Sequence, residues 1–141
     1  MAGWTRPDRN SRYPLIKCKE KEKTGLMSFW PYLAMGIYWS TVNAVLEEMV
    51  WRWFVLEKCK QLCPGPLMAA ALSAGLFTLH HLVVVGAWLP LGPTLAVNVA
   101  IFAAGFLWSA LTLKHKSIFP ACVSHILADI GIVTAGIWIL F

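Results

Sequence analysis

The sequence predicts an all-α fold, a polytopic transmembrane bundle of about four membrane helices. Three observations carry this. The hydrophobic fraction is 58% and the charged fraction 13%, about half the ~25% charge of a soluble domain. No Asp, Glu, Lys or Arg occurs between Gln61 and Leu113, a stretch that accommodates two spans of ~20 apolar residues each. Strict apolar–polar alternation is absent, so a barrel is not expected, and helices remain the way to pair every backbone N–H and C=O in hydrocarbon.

In chain order, residues 1–27 read as a basic, polar tail, with Arg6, Arg9, Arg12, Lys17, Lys19, Lys21 and Lys23 against Asp8, Glu20 and Glu22. It has no apolar run ending in a cleavage site, so it is not a signal peptide. Beside a span, such a tail meets anionic lipid headgroups rather than nucleic acid. Residues 28–141 form the apolar core. Its first segment runs from about Ser28 to Trp53, and the lysines of 57–60 read as a loop. The second runs from about Leu67 to Leu89, and Ala69, Ala70, Ala71, Ser73, Ala74 and Gly75 allow a neighbouring helix to approach closely. Pro90 and Pro93 then break the chain, since each removes a backbone donor and restricts the residue before it. The third segment covers about Thr94 to Leu113, Lys114–Ser117 is a polar turn, and the fourth runs from about Ile118 to Phe141. Trp30, Trp51, Trp53, Trp88 and Trp138 fall near segment ends, as in an interfacial belt. Cys18, Cys59, Cys63 and Cys122 show no CxxC pairing and read as filler, although Cys59 and Cys63 are spaced to share a helix face. The expected protein is integral to the membrane and multi-pass. Counting Lys and Arg, seven in the tail stand against five in Arg52, Lys58, Lys60, Lys114 and Lys116, a nearly balanced positive-inside signal.

The polar exceptions inside this apolar chain carry the functional signal. Glu47, Glu48 and Arg52 end the first segment, His80 and His81 sit in the second, and His125 and Asp129 in the fourth. A charge at mid-bilayer costs about 2.5–3.5 kcal/mol on insertion scales, so these groups are expected to face one another inside the bundle. Glu48 and Arg52 are four apart and share a face, as do Phe77 and His81, and His125 and Asp129. Each pair alone has an ordinary reading: an interfacial salt bridge, a packing histidine, a bond that orients a helix.

Taken in order, E-E-x-x-x-R in EEMVWR (47–52), F-x-x-x-H in FTLHH (77–81) and H-x-x-x-D in HILAD (125–129) resemble the CAAX prenyl endopeptidase and bacteriocin-processing family, called CPBP or ABI, of intramembrane glutamic endopeptidases. The flanks ALSAGLFTLHHL and GFLWSALTLKHKSIFPACVSH agree, and the resemblance spans about residues 28–141. It implies that Glu47 is the base that activates water and that His81 holds and polarises that water. It further implies that His125 and Asp129 form or support an oxyanion site, with Glu48, Arg52 and Phe77 as supporting residues. The prenyl-processing branch usually carries Asn where this chain has Asp129. His80 lies outside the motif and reads as packing.

The residues themselves suit this chemistry. A carboxylate and an imidazole in a low-dielectric cavity can activate a water, and a second polar cluster can bind a developing oxyanion. Three functional classes stay open. One is a glutamate/histidine endopeptidase with no cofactor. Another is a zinc metalloprotease built from the same ligand types, though no H-E-x-x-H helix is present. A third is a non-catalytic immunity or partner-binding protein, in which the polar network only keeps the helices in register. The expected partners are membrane lipid and a peptide or protein substrate, without nucleic acid. A bundle this small with a polar interior also fits an oligomer or a membrane partner.

Overall fold

A computed structural model describes residues 28–141, and the expected basic tail, 1–27, lies outside the described residues. Helix α1 covers 29–62 in five continuous pieces: α-helical Phe29–Tyr38, π-helical Trp39–Asn43, α-helical Ala44–Glu48, π-helical Met49–Val55 and α-helical Leu56–Leu62. The junction residues Trp39, Ala44, Met49 and Leu56 keep right-handed helical dihedrals, so the axis is unbroken. Pro31 is harmless because the first-turn amides have no helical partner.

Helix α1 outruns the expected end at Trp53. No Pro or Gly intervenes before Pro64 and Gly65, and Glu57 pairs with Lys60 at 2.7 Å on its surface, an i,i+3 contact that supports a helix. The expected loop at 57–60 is therefore helical. Trp51 is consequently interior to the helix rather than part of a belt. Its ring packs edge-on to Phe77 at 5.5 Å, and its carbonyl accepts a hydrogen bond from Ser73 Oγ at 3.2 Å. Cys63 caps α1 in an extended conformation (φ −105°, ψ 143°) and packs, partly buried, against the cluster of Leu56, Cys59 and Ala69.

Helix α2 spans Pro66–Gly86, α3 Leu91–His115 and α4 Phe119–Leu140. All three are long and apolar enough to cross a membrane. Pro66 opens α2 and Pro120 lies in the first turn of α4, positions where a missing N–H costs little. Helix α3 starts before Thr94 because Pro93 is tolerated in its first turn. Thr94 Oγ1 closes that turn by donating to Leu89 O at 3.0 Å and Pro90 O at 2.9 Å. Lys116 ends α3 in the left-handed conformation, φ 52°.

The short connections make the four helices an up-down-up-down bundle. Helix α2 packs along α3, where Ala74 meets Gly105, and along α1, where Ala69 joins Leu56 and Cys59 and Ser73 bonds the Trp51 carbonyl. Helix α4 packs on α3 and on the first half of α1, where Gly36 leaves room for Val133. Large apolar side chains such as Val83, Leu91, Phe119 and Ile132 point outward, as they would towards lipid tails. The chain is an integral, multi-pass membrane protein whose described residues are all-α.

Candidate active site

The polar residues of three helices meet in the bundle. Helix α1 supplies Glu47, Glu48 and Arg52 from the short α-helical piece Ala44–Glu48 and the π-helical turn after it. A π turn bonds i to i+5 and re-aims the side chains it carries; such turns are frequent at functional sites. Helix α2 supplies Phe77 and His81, and α4 supplies His125 and Asp129.

The deepest part is an ion network. The Glu48 and Arg52 side chains are both 0% exposed, with Arg52 Nη1 3.2 Å from Glu48 Oε1. This is ion-pair contact without hydrogen-bond alignment, since Nη1 and Nε of Arg52 and Oε2 of Glu48 find no hydrogen-bond partner among the described residues. Arg52 Nη2 reaches Gly105 O at 3.4 Å. The guanidinium also lies over the Phe77 ring at 4.4 Å and near the Trp108 ring at 5.1 Å, a cation–π arrangement that offsets part of its desolvation. A Cβ at Gly105 would lie 3.0 Å from the Phe77 ring and 3.3 Å from Arg52 Nη2, so glycine lets α3 approach this pair without crowding it.

Glu48 also reaches across to α4, its Oε1 2.8 Å from His125 Nδ1. With Nδ1–H donating to this carboxylate, Nε2 of His125 faces the cavity. Trp108 stacks on the His125 ring at 4.1 Å with 17° between planes, and its own Nε1–H donates to Ser124 Oγ at 3.1 Å. His125 is thus held by a carboxylate at one edge and an indole on one face. Asp129 Oδ2 lies 3.7 Å from His125 Nε2, so the bond that orients His125 comes from Glu48 and not from Asp129.

Glu47 forms the more open part. Its side chain is 19% exposed, against 21% for His81 and 24% for Asp129. Asn43 Nδ2 donates to Glu47 Oε1 at 2.9 Å, which turns Oε2 towards two imidazoles: His81 Nε2 at 4.0 Å and His125 Nε2 at 3.9 Å. Both separations exceed a direct hydrogen bond and match the span of a bridging water. His81 Nδ1 lies 3.0 Å from Phe77 O, a bond that fixes the ring and leaves Nε2 towards Glu47. His80 is exposed and neighbours the His81 ring at 5.3 Å and the Trp51 ring at 5.9 Å. Among the described residues no group of three or more His, Cys, Asp or Glu side chains is arranged to hold a metal ion.

All seven residues singled out from the sequence (Glu47, Glu48, Arg52, Phe77, His81, His125 and Asp129) therefore converge. Asn43, Trp108, Ser124 and Gly105 join them without having been foreseen. Asn43 carried a usable signal, an amide in an apolar run four residues before Glu47. Trp108 did too, as a tryptophan set deeper in its segment than Trp88 or Trp138.

Comparison with curated proteins and with solved structures found no match. The sequence model described as type II CAAX prenyl endopeptidase Rce1-like matches residues 29–131, which take in every residue of this cluster. With most of its length matched, the chain belongs to the Rce1-like family of type II CAAX prenyl endopeptidases, which places it among membrane proteases.

Proposed function

We propose that the protein is an intramembrane glutamic endopeptidase that hydrolyses a peptide bond near the C-terminus of a CAAX-type, prenylated substrate. The observation that carries the reading is the position of Glu47 Oε2, about equally far from His81 Nε2 and His125 Nε2. A water between Glu47 and His81 loses its proton to the carboxylate as its oxygen attacks the scissile carbonyl. The carbonyl oxygen gains charge, and His125, with Asp129 beside it, stabilises that charge when its Nε2 is protonated. Glu47 then returns the proton to the leaving amine. Glu48 keeps His125 in place through Nδ1, Arg52 balances Glu48, and Asn43 holds the Glu47 rotamer. None of these steps calls on a metal or cofactor.

The test uses the purified full chain in detergent, with prenylated and unprenylated peptides ending in a CAAX sequence and with Glu47→Gln as the paired variant. The expected result is cleavage of the prenylated peptide that survives chelator and falls about 10²–10⁴-fold in Glu47→Gln, the size of a general-base contribution. Cleavage abolished by chelator and restored by zinc would replace this reading with a metalloprotease. Cleavage undiminished in Glu47→Gln would remove Glu47 from the chemistry.

A further inference from the structure

A cavity lies along α1 beside the catalytic cluster, with Arg52 common to both. Its volume is about 810 Å³, within the ~300–1,000 Å³ range of sites that hold small molecules. Met49 and Leu56 of α1 and Leu113 of α3 form its apolar wall, Arg52 lies at its floor, and Lys60 and Lys116 line it at the helix ends. None of Glu47, His81, His125 or Asp129 lines it, so it is not the space in which a scissile bond would sit.

Three features give this cavity an anionic, amphipathic preference. First, two lysines against the single carboxylate of Glu57, which pairs with Lys60 at 2.7 Å, leave its mouth net positive. Second, the Arg52 side chain is wholly buried, yet its Nε has no acceptor among the described residues. Third, Lys116 holds a left-handed backbone, φ 52°, where glycine is the unstrained choice. A non-glycine residue kept in such a conformation points to use of its side chain, and no ion pair or hydrogen bond of the Lys116 side chain occurs among the described residues. The dimensions match a lipid. From Val45, the other end of the lining, to Lys60, α1 rises roughly 22 Å at about 1.5 Å per residue, enough to cover one leaflet of a hydrocarbon core ~30 Å thick. A head at the lysines would then lie at the interface and a chain would follow the wall inward.

The geometry points to a binding site for one anionic phospholipid, its acyl chain against Met49, Leu56 and Leu113 and its phosphate between Lys60 and Lys116. Arg52 belongs to this cavity and to the Glu48–His125 network at once, so the lipid occupies the back of the helix that carries Glu47.

The test is lipid retention by the full chain, read by native mass spectrometry and by the thermal unfolding midpoint in neutral detergent. Phosphatidylglycerol, phosphatidylcholine and inorganic phosphate are added in parallel. The expected result is one retained phosphatidylglycerol and a midpoint raised by several degrees over the phosphatidylcholine sample. Inorganic phosphate should have no comparable effect, because the chain supplies the apolar contact. In the variant Lys60→Gln/Lys116→Gln, affinity for phosphatidylglycerol should fall roughly 25-fold, taking about fivefold per lysine at an anionic headgroup. Lys116→Gly relieves the backbone, so it folds, and it should still lose about fivefold. Equal retention of the two lipids would overturn the proposal. So would an undiminished preference in the double variant, which would assign the effect to the basic residues 1–27. An equal gain from inorganic phosphate would reduce the site to a simple anion site.

Discussion

At the scale of single residues, the site is a set of cross-helix constraints on two imidazoles. Glu48 carries the most of them, since one oxygen serves both Arg52 of its own helix and His125 of α4. Removing one partner of a fully buried ion pair costs about 3–5 kcal/mol, because the other charge stays behind unpaired, whereas replacing both with apolar side chains is often neutral. Glu48→Ala is therefore expected to destabilise the protein by roughly that amount. Arg52→Met added to it should return a good part of the loss, and unfolding of the four proteins of this cycle in detergent measures it. Additive losses would mean that Arg52 and Glu48 are not coupled. The pairing itself was legible in the sequence, because i,i+4 spacing reads off the chain. What Glu48 does for His125 was not, since the two are separated by 77 residues and only the packing of α4 on α1 brings them together. Trp108 escaped for a related reason: its stacking on an imidazole depends on where Gly105 lets α3 sit.

At the scale of helices, glycines report where close approach matters and where it does not. Gly105 and Gly75 both lie inside long helices, and composition alone treats them alike. An added Cβ at Gly75 meets nothing within 4 Å, whereas at Gly105 it meets the Phe77 ring at 3.0 Å and Ala74 Cα at 3.6 Å. Alanine is favoured over glycine in a helix by about 0.5–1 kcal/mol. Gly75→Ala is therefore expected to raise the thermal unfolding midpoint. Gly105→Ala should lower it, because crowding at the Phe77 ring and the Arg52 guanidinium outweighs the propensity gain. Hydrogen exchange on α3 gives an independent readout, with faster exchange expected only in Gly105→Ala. Equal behaviour of the two variants would contradict the close α2–α3 contact. The small-residue run from Ala69 to Gly75 did announce close helix packing in the sequence, which α2 makes with α1 through Ala69 and Ser73 and with α3 through Ala74. The helix boundaries were less legible. Lysines at 58 and 60 resemble a loop until Glu57 is seen to hold Lys60, and nothing in the apolar pattern distinguishes a π turn from an α turn.

For the molecule as a whole, the question is which ends of the helices share a membrane face. Four helices and short connections place the 62–66 turn with the 115–119 turn, and the 86–91 turn at the opposite end with Phe29 and Phe141, whose rings meet at 5.6 Å. The positive-inside count changes once the fold is known. Arg52 is wholly buried and paired with Glu48, so it faces no headgroup and leaves the tally. The lysines at 58, 60, 114 and 116 all collect at one end of the bundle, a grouping that a reading by segments had already put in two separate loops. Four lysines then oppose the seven basic residues of the sequence before α1. Cysteine accessibility tests the arrangement directly. Cys63 is free and partly exposed, Ser117 and Gly92 are exposed, and Cys59 and Cys122 are buried. In sealed vesicles of the Cys18→Ser protein, a membrane-impermeant maleimide should reach Cys63 and Ser117→Cys from one side. Gly92→Cys should react only from the other. Labelling of all three from the same side would break the up-down-up-down topology, and with it the meeting of Glu47, His81 and His125 at one depth.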